Sequence, residues 1–277
     1  MTAIHQRANV WRLVTAPRRK LFEGDSPDVT VHVASKNTLL YTELCLRSMW
    51  RLAGRPFQLV VGDCASEDGT QEFLRRMAAR GFLTLQESPA DTSHSDWIDR
   101  WRRECRTKYF VIVDSDVEFL EIDWLPRLVA ALDSRSMVAY GVIPEMTYRE
   151  TGYGEPFEYT LLVRPDPCVL LLDHERTHHI AASFAWREEA DRWPPERAYD
   201  TAGFFALALE QEGLTWEAMS DSVRRCFKHC GGRSWRKKGP RRRRIRYRLV
   251  NGRLRAVSLL LRLLDRTKPA GWSSGTA

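Results

Sequence analysis

Asp114, Asp116 and Glu118 alternate through the stretch FVIVDSDVEF, directly after an apolar run. Side chains of an extended chain alternate between faces, so three carboxylates spaced two apart would share one face and repel each other. A bound cation or a basic side chain would relieve that repulsion. Other candidates for chemistry are scattered. Asp63 closes the run FQLVVG and opens the turn-rich DCASEDGT. Cys226, His229 and Cys230 are close enough in sequence to suggest zinc, but a fourth ligand is not evident. His174, His178 and His179 in DHERTHHI could form another metal site, although a solvated loop explains them more simply.

The elements that must position these residues follow from hydrophobic periodicity. VTVHVA, FQLVVG, FLTLQE and YFVIV read as strands, and LLYTELCLRSMWRLAG, GTQEFLRRMAARG and SDWIDRWRREC as the amphipathic helices between them. The helix DWLPRLVAALDS and the strand MVAYGVI come after the acidic cluster. Strands alternating with helices predict an α/β fold of right-handed βαβ units, with a mainly parallel sheet covered on both faces. Ligands of such sheets sit at the carboxyl ends of the strands. The residues there are Ser35, Lys36 and Asn37 after the first strand, Asp63 after the second, and Asp114 with Asp116 after the fourth. Such a crevice would hold an anion well once a divalent metal is in place. No GxGxxG or GxxxxGK[ST] follows the first strand, which counts against dinucleotide oxidoreductases and P-loop NTPases.

VASKN, then VVGDCASEDGT (Val60–Thr70), then FVIVDSDVEF together resemble the nucleotide-binding half of a GT-A glycosyltransferase, most closely the large inverting family 2. That resemblance implies an enzyme that transfers a sugar from a nucleoside-diphosphate sugar to an acceptor hydroxyl. It implies that Asp63 hydrogen-bonds the donor's base and that Ala34, Ser35 and Lys36 flank it. It places Asp114 near the ribose and the metal, makes Asp116 the principal ligand of Mn2+ or Mg2+, and leaves Glu118 as a neighbour. The segment FKHCGGRSW resembles the C-terminal part of these enzymes, where a histidine completes the metal site, here His229. Gly231 and Gly232 would let the backbone approach the diphosphate, and Ser234 could donate to it. The family's catalytic Asp falls on Asp200 at the start of AYDTAGFFALALEQEG, with Glu188, Glu189 and Asp191 in reserve. Asp63 and Asp200 also have plainer readings, as a turn residue and as a helix cap worth roughly 1 kcal/mol. One departure stands out: many members carry Ala-Arg-Asn in the helix before the acidic strand end, whereas this chain has SHSDWIDRWRREC. Asp99 and Arg100 lie nearby without matching.

Charge divides the chain. Residues 236–277 carry fourteen Lys and Arg against one acid, Asp265, a net +13, so with an overall charge of +7 residues 1–235 stand at −6. In that tail Val250, Leu254, Val257, Leu261 and Leu264 recur in steps of four and three, with Arg248, Arg255, Arg262 and Arg266 on the opposite side. A basic amphipathic helix of this kind could lie on an anionic membrane, which would suit a lipid-linked or cell-envelope acceptor, or it could pack on the domain. The expected organisation is an N-terminal extension over 1–27, a GT-A domain over 28–235 with a nucleotide-binding half (28–145) and an acceptor half (146–235), and the tail. The first twenty residues lack the apolar core of a signal peptide, and six scattered cysteines without CxxC pairs fit reduced thiols. The expected location is the cytoplasm, peripheral on the inner face of the membrane if the tail binds lipid.

Two rival functions make distinct demands. A sugar-phosphate nucleotidyltransferase shares the sheet and the metal chemistry but needs a Gly-rich basic loop after the first strand, and VASKNTLLY has no glycine. A polyanion binder would use the tail and show salt-sensitive binding without metal or donor. The acidic remainder and the placed carboxylates argue against specific nucleic-acid recognition as the main function.

Overall fold

The computed structural model describes residues 27–141, 146–150, 157–161, 164–165, 167–185, 187–188, 197–199 and 201–230. The N-terminal extension up to residue 26, the tail, Asp200, Ser234, Gly231, Gly232, Glu189 and Asp191 lie outside them. β1 (Val29–Ser35), α1 (Leu39–Leu52), β2 (Gln58–Cys64), α2 (Thr70–Ala78), β3 (Thr84–Ser88), α3 (His94–Glu104) and β4 (Tyr109–Asp114) alternate as the periodicity predicts. After them come β5 (Val117–Phe119), α4 (Trp124–Asp133), β6 (Ala139–Tyr140), β7 (Met146–Glu150), β8 (Phe157–Leu161), β9 (Val169–Asp173) and the short α5 (His174–Thr177). The described chain ends with β10 (Arg187–Glu188), β11 (Arg197–Tyr199), α6 (Gly203–Gln211), β12 (Trp216–Glu217), α7 (Asp221–Arg224) and β13 (Phe227–His229).

Seven strands form the central sheet in the order β12-β6-β9-β4-β1-β2-β3. The pairs β1–β2, β1–β4, β2–β3 and β6–β12 are parallel, whereas β9 runs antiparallel to both β4 and β6. A four-stranded sheet, β10-β11-β8-β7, and a ribbon of β13 with β5 complete the strands.

Alternation along the strands sorts the core onto two faces. Val29, Val31 and Val33 of β1, Val111 and Val113 of β4, and Val169 and Leu171 of β9 join one cluster with Leu44, Met49, Phe73, Leu74, Trp124 and Leu128 from α1, α2 and α4. Phe110, Ile112, Leu170 and Leu172 point the other way, toward Trp97, Ile98 and Trp101 of α3 and Phe205 and Leu209 of α6. Each such side chain fully removed from water contributes roughly 1.5–3 kcal/mol. Gly62 allows α3 to come this close, because a Cβ there would stand 2.8 Å from both Trp97 and Trp101. His32 lies in the same layer, stacked on Phe110 with centroids 4.3 Å apart, and its Nδ1 is 3.3 Å from the Val111 carbonyl. Burial drops its pKa from 6.5 to about 3. Among the described residues no helix is long and apolar enough to cross a membrane.

Candidate functional site

Register brings the strand ends together. Ala34 of β1 pairs with Gly62 of β2 on one side and Asp114 of β4 on the other, and Ser35 pairs with Asp63. The acids that the sequence reading singles out therefore flank a common crevice at the carboxyl edge of the sheet.

Asp63 is fully buried. Its Oδ2 accepts the Ser66 amide at 3.0 Å, the turn role open to an Asp in this position. Its Oδ1 is buried without a hydrogen-bond partner. A buried acceptor left in that state costs on the order of 1–3 kcal/mol, so the atom is available to a ligand's N–H. Around it the two loops are stapled: the Asn37 amide donates to Ser66 Oγ at 2.9 Å, the Glu67 amide to Asn37 Oδ1 at 2.8 Å, and the Leu39 amide to Asp68 Oδ2 at 3.0 Å. Asn37 meets this geometry in the left-handed region, at φ 52°, which Asn tolerates better than most residues.

Ser35 turns its hydroxyl inward, 2.8 Å from Thr42 Oγ1 and 3.3 Å from Thr38 Oγ1. Thr38 Oγ1 in turn lies 3.2 Å from Ser115 Oγ, so a line of hydroxyls joins the end of β1 to the turn between the two aspartates. Lys36 pairs with Asp91.

The DSDVE stretch is not one extended run. β4 ends at Asp114, a turn occupies Ser115 and Asp116, and β5 starts at Val117. That turn separates the triplet: Glu118 is buried within the β5–β13 ribbon at 2% exposure, while Asp114 and Asp116 remain together. β13 places His229 opposite Val117. His229 Nε2 stands 2.9 Å from Asp116 Oδ1 and 3.4 Å from Asp114 Oδ2. One ligand atom from each of Asp114, Asp116 and His229 falls within 4.8 Å of the others, and among the described residues no other group of His, Cys, Asp or Glu does so. Two carboxylates and an imidazole fit Mn2+ well and can serve Mg2+.

The other metal candidates resolve differently. His174 is buried, with Nε2 2.8 Å from the Arg102 carbonyl, and His178 Nδ1 lies 2.9 Å from the Glu175 carbonyl. Cys226 is buried in the core, where burial pushes its thiol pKa up and opposes the thiolate that zinc would need. All six cysteines are free.

In place of Ala-Arg-Asn, α3 carries residues that hold the second half of the chain. Asp99 accepts the Phe184 amide at 2.9 Å and the Ser183 hydroxyl. Arg102, 7% exposed, donates to the carbonyls of Thr177, Ile180 and Ala182 and lies 4.3 Å above the Phe205 ring. The Phe184 carbonyl then accepts the Ala202 amide at 3.1 Å, and Arg164 Nε donates to the Thr201 carbonyl at 2.9 Å. The backbone directly after Asp200 is thus fastened from two sides. Arg100 pairs with Glu104 instead of reaching the crevice.

His94 escaped the sequence reading. It opens α3, with Ser93 as the N-cap, and its Nε2 is 3.6 Å from Asp114 Oδ1. Its only signal in the sequence was a histidine at a helix start, which by itself says nothing of what it faces.

A parallel sheet whose carboxyl edge gathers Asp63, Asp114 and Asp116 is the nucleotide-binding arrangement of the GT-A fold. The model of glycosyl transferase family 2 matches residues 30–206, and the chain belongs to that family. Among solved structures it is similar to the mannosyltransferase PcManGT from Pyrobaculum calidifontis, with GDP-Man and Mn2+, at TM-score 0.50 and 18% identity. That likeness covers 79% of this chain and 64% of the mannosyltransferase. It is similar also to GalNAc-T7 with UDP, GalNAc and Mn2+, at TM-score 0.50 and 11% identity, over 76% of this chain and 45% of the other. At these identities the likeness speaks for the fold alone. Among curated proteins none matches the chain.

Proposed function

We propose that this family 2 chain transfers a sugar from a nucleoside-diphosphate sugar to an acceptor hydroxyl, with inversion and with a divalent cation. The observation that carries the proposal is the trio Asp114, Asp116 and His229, on the same carboxyl edge of the sheet as the buried, half-satisfied carboxylate of Asp63. Mn2+ in the PcManGT and GalNAc-T7 structures supports a metal, and their nucleotides support the donor class.

In this reading Asp63 Oδ1 accepts an N–H of the donor's base, and the backbone from Ala34 to Lys36 flanks the ring. Asp116, His229 and Asp114 would hold the cation, which would supply a Lewis acid for the charge that grows on the departing diphosphate. Asp114 lies by the ribose, and Ser234 donates to the diphosphate. Asp200 takes the acceptor's hydroxyl proton as the new bond forms at the anomeric carbon opposite the breaking bond to the diphosphate, and this geometry inverts the centre. The fastened backbone at Thr201 and Ala202 gives such a base a fixed mount.

The basic tail brings the enzyme to an anionic membrane surface on the cytoplasmic side, where a lipid-linked or cell-envelope acceptor would be met. Calorimetry with UDP-, dTDP- and GDP-sugars, with and without Mn2+, tests the core of the proposal. Binding of one base class that strengthens with Mn2+ is expected, and no binding of any donor in its presence would overturn it.

A further inference from the structure

The carboxylate of Asp114 lies between two imidazoles. His229 Nε2 approaches its Oδ2 at 3.4 Å and His94 Nε2 approaches its Oδ1 at 3.6 Å. The two histidines differ in kind. His229 is within reach of Asp116 as well, and its ligand atom belongs to the trio that can close on one ion. His94 is outside that trio. Its Nε2 is shielded from solvent and has no hydrogen-bond partner, although a third of the side chain is exposed. A buried imidazole nitrogen in that state needs a partner, and because the carboxylate in front of it, Asp114 Oδ1, can only accept, the tautomer that fits is the one protonated on Nε2.

We infer that His94 is a positioning residue for Asp114: its Nε2–H anchors Oδ1 and leaves Oδ2 turned toward His229 and Asp116 for the cation. The inference rests on the metal reading given above. A separation of 3.6 Å is longer than a hydrogen bond, and a rotation of the carboxylate that shortens it by about half an ångström would complete the contact. Carboxylates that bind metals are themselves held by hydrogen bonds from an outer layer of groups, and removing such a group weakens metal binding by about 10–100-fold. Placement of His94 is local and firm, because Ser93 Oγ caps α3 by accepting the Asp96 amide at 3.1 Å. The helix that lacks Ala-Arg-Asn thereby still reaches the acidic strand end, through its first residue.

Titration of the full chain with Mn2+ alone, followed by electron paramagnetic resonance, tests this without any turnover. His94→Ala is expected to weaken Mn2+ binding about tenfold, and His94→Gln, which keeps a donor near the same point, to restore most of it. Electron spin echo spectra of bound Mn2+ are expected to show one coordinated imidazole nitrogen. Wild-type affinity in His94→Ala, equal losses in both variants, or two coordinated nitrogens would each overturn the positioning role. A wild-type chain that takes up no Mn2+ would sink the metal reading and this role with it, whereas normal uptake with an indifferent His94→Ala sinks the role alone.

Discussion

His229 Nε2 stands 2.9 Å from Asp116 Oδ1 because β13 pairs antiparallel with β5, and the Cys230 amide donates to the Asp116 carbonyl at 2.9 Å to lock that register. Residues from the middle and the end of the described chain meet here through backbone ladder bonds, so the pairing does not depend on their side chains. A variant at either position should keep the fold.

Asp116→Ala is therefore expected to leave thermal stability close to wild type while abolishing both Mn2+-dependent donor hydrolysis and transfer. Wild-type hydrolysis in this variant would remove Asp116 from the metal site.

Asp63→Asn keeps an oxygen for the Ser66 amide but alters the unpartnered Oδ1 position that is proposed to meet the base. The expected result is donor affinity lower by about tenfold, the scale of one hydrogen bond to a charged group, with Mn2+ affinity unchanged. Isothermal titration of the donor in saturating Mn2+ reads the first, and titration with Mn2+ alone reads the second. Unaltered donor affinity would leave Asp63 as a turn residue only.

Asp200→Asn should bind donor and metal as the wild type does and lose transfer by about 10²–10⁴-fold, the range of a general base. Equilibrium donor binding and initial transfer rates separate the two effects. A wild-type transfer rate would refute the base assignment and move attention to Glu188, Glu189 and Asp191.

The buried His32 makes the sheet sensitive to acid. Folding holds it neutral with a pKa of about 3 against 6.5 in an unfolded chain. The unfolded state thus binds a proton that the folded state refuses between those values. Its contribution is constant above pH 6.5 and is lost as the pH falls toward 3, at about 1.4 kcal/mol per pH unit. His174, also kept neutral by burial, adds to the slope. His32→Phe should flatten the decline between pH 6.5 and 5 by about 2 kcal/mol in denaturant titrations. Parallel pH profiles for the two proteins would contradict this.

Truncation at Lys238 removes most of the basic tail. Binding to anionic liposomes in sedimentation assays should fall sharply, and neutral liposomes should discriminate little between the two proteins. Equal binding to anionic liposomes would end the membrane reading.

The first half of the fold was legible in the sequence because its strands and helices are long enough to show a period. VTVHVA and YFVIV alternate cleanly between the two core faces, and Asp63, Asp114 and Asp116 sit where parallel strands end. The second half was harder to read for physical reasons. β9 is a plain apolar run, VLLLD, and nothing in such a run says that it lies antiparallel between β4 and β6. β5 and β13 have three residues each, too few for any period. His94 and Asp114 meet through the packing of α3 on β1 and β2, a tertiary contact to which local pattern is blind. The inward turn of the Ser35 hydroxyl likewise depends on Thr38 at the N-cap of the following helix and Thr42 within it.

The position of β9 has a consequence for how the chain can be made or cut. It seals the side of β4 that faces away from β1, and it brings Val169 and Leu171 to one core face and Leu170 and Leu172 to the other. A chain ended near residue 145 would retain the crevice acids Asp63, Asp114 and Asp116 yet leave β4 with an open row of amides and carbonyls beside uncovered apolar rows. That edge would recruit other copies, the usual start of aggregation. The strands before residue 145 are therefore not a folding unit separable from β9. On the ribosome the edge of β4 has to wait for Asp173 to emerge before β9 can cover it, so a nascent chain between β4 and β9 exposes that edge and is a natural client for a chaperone.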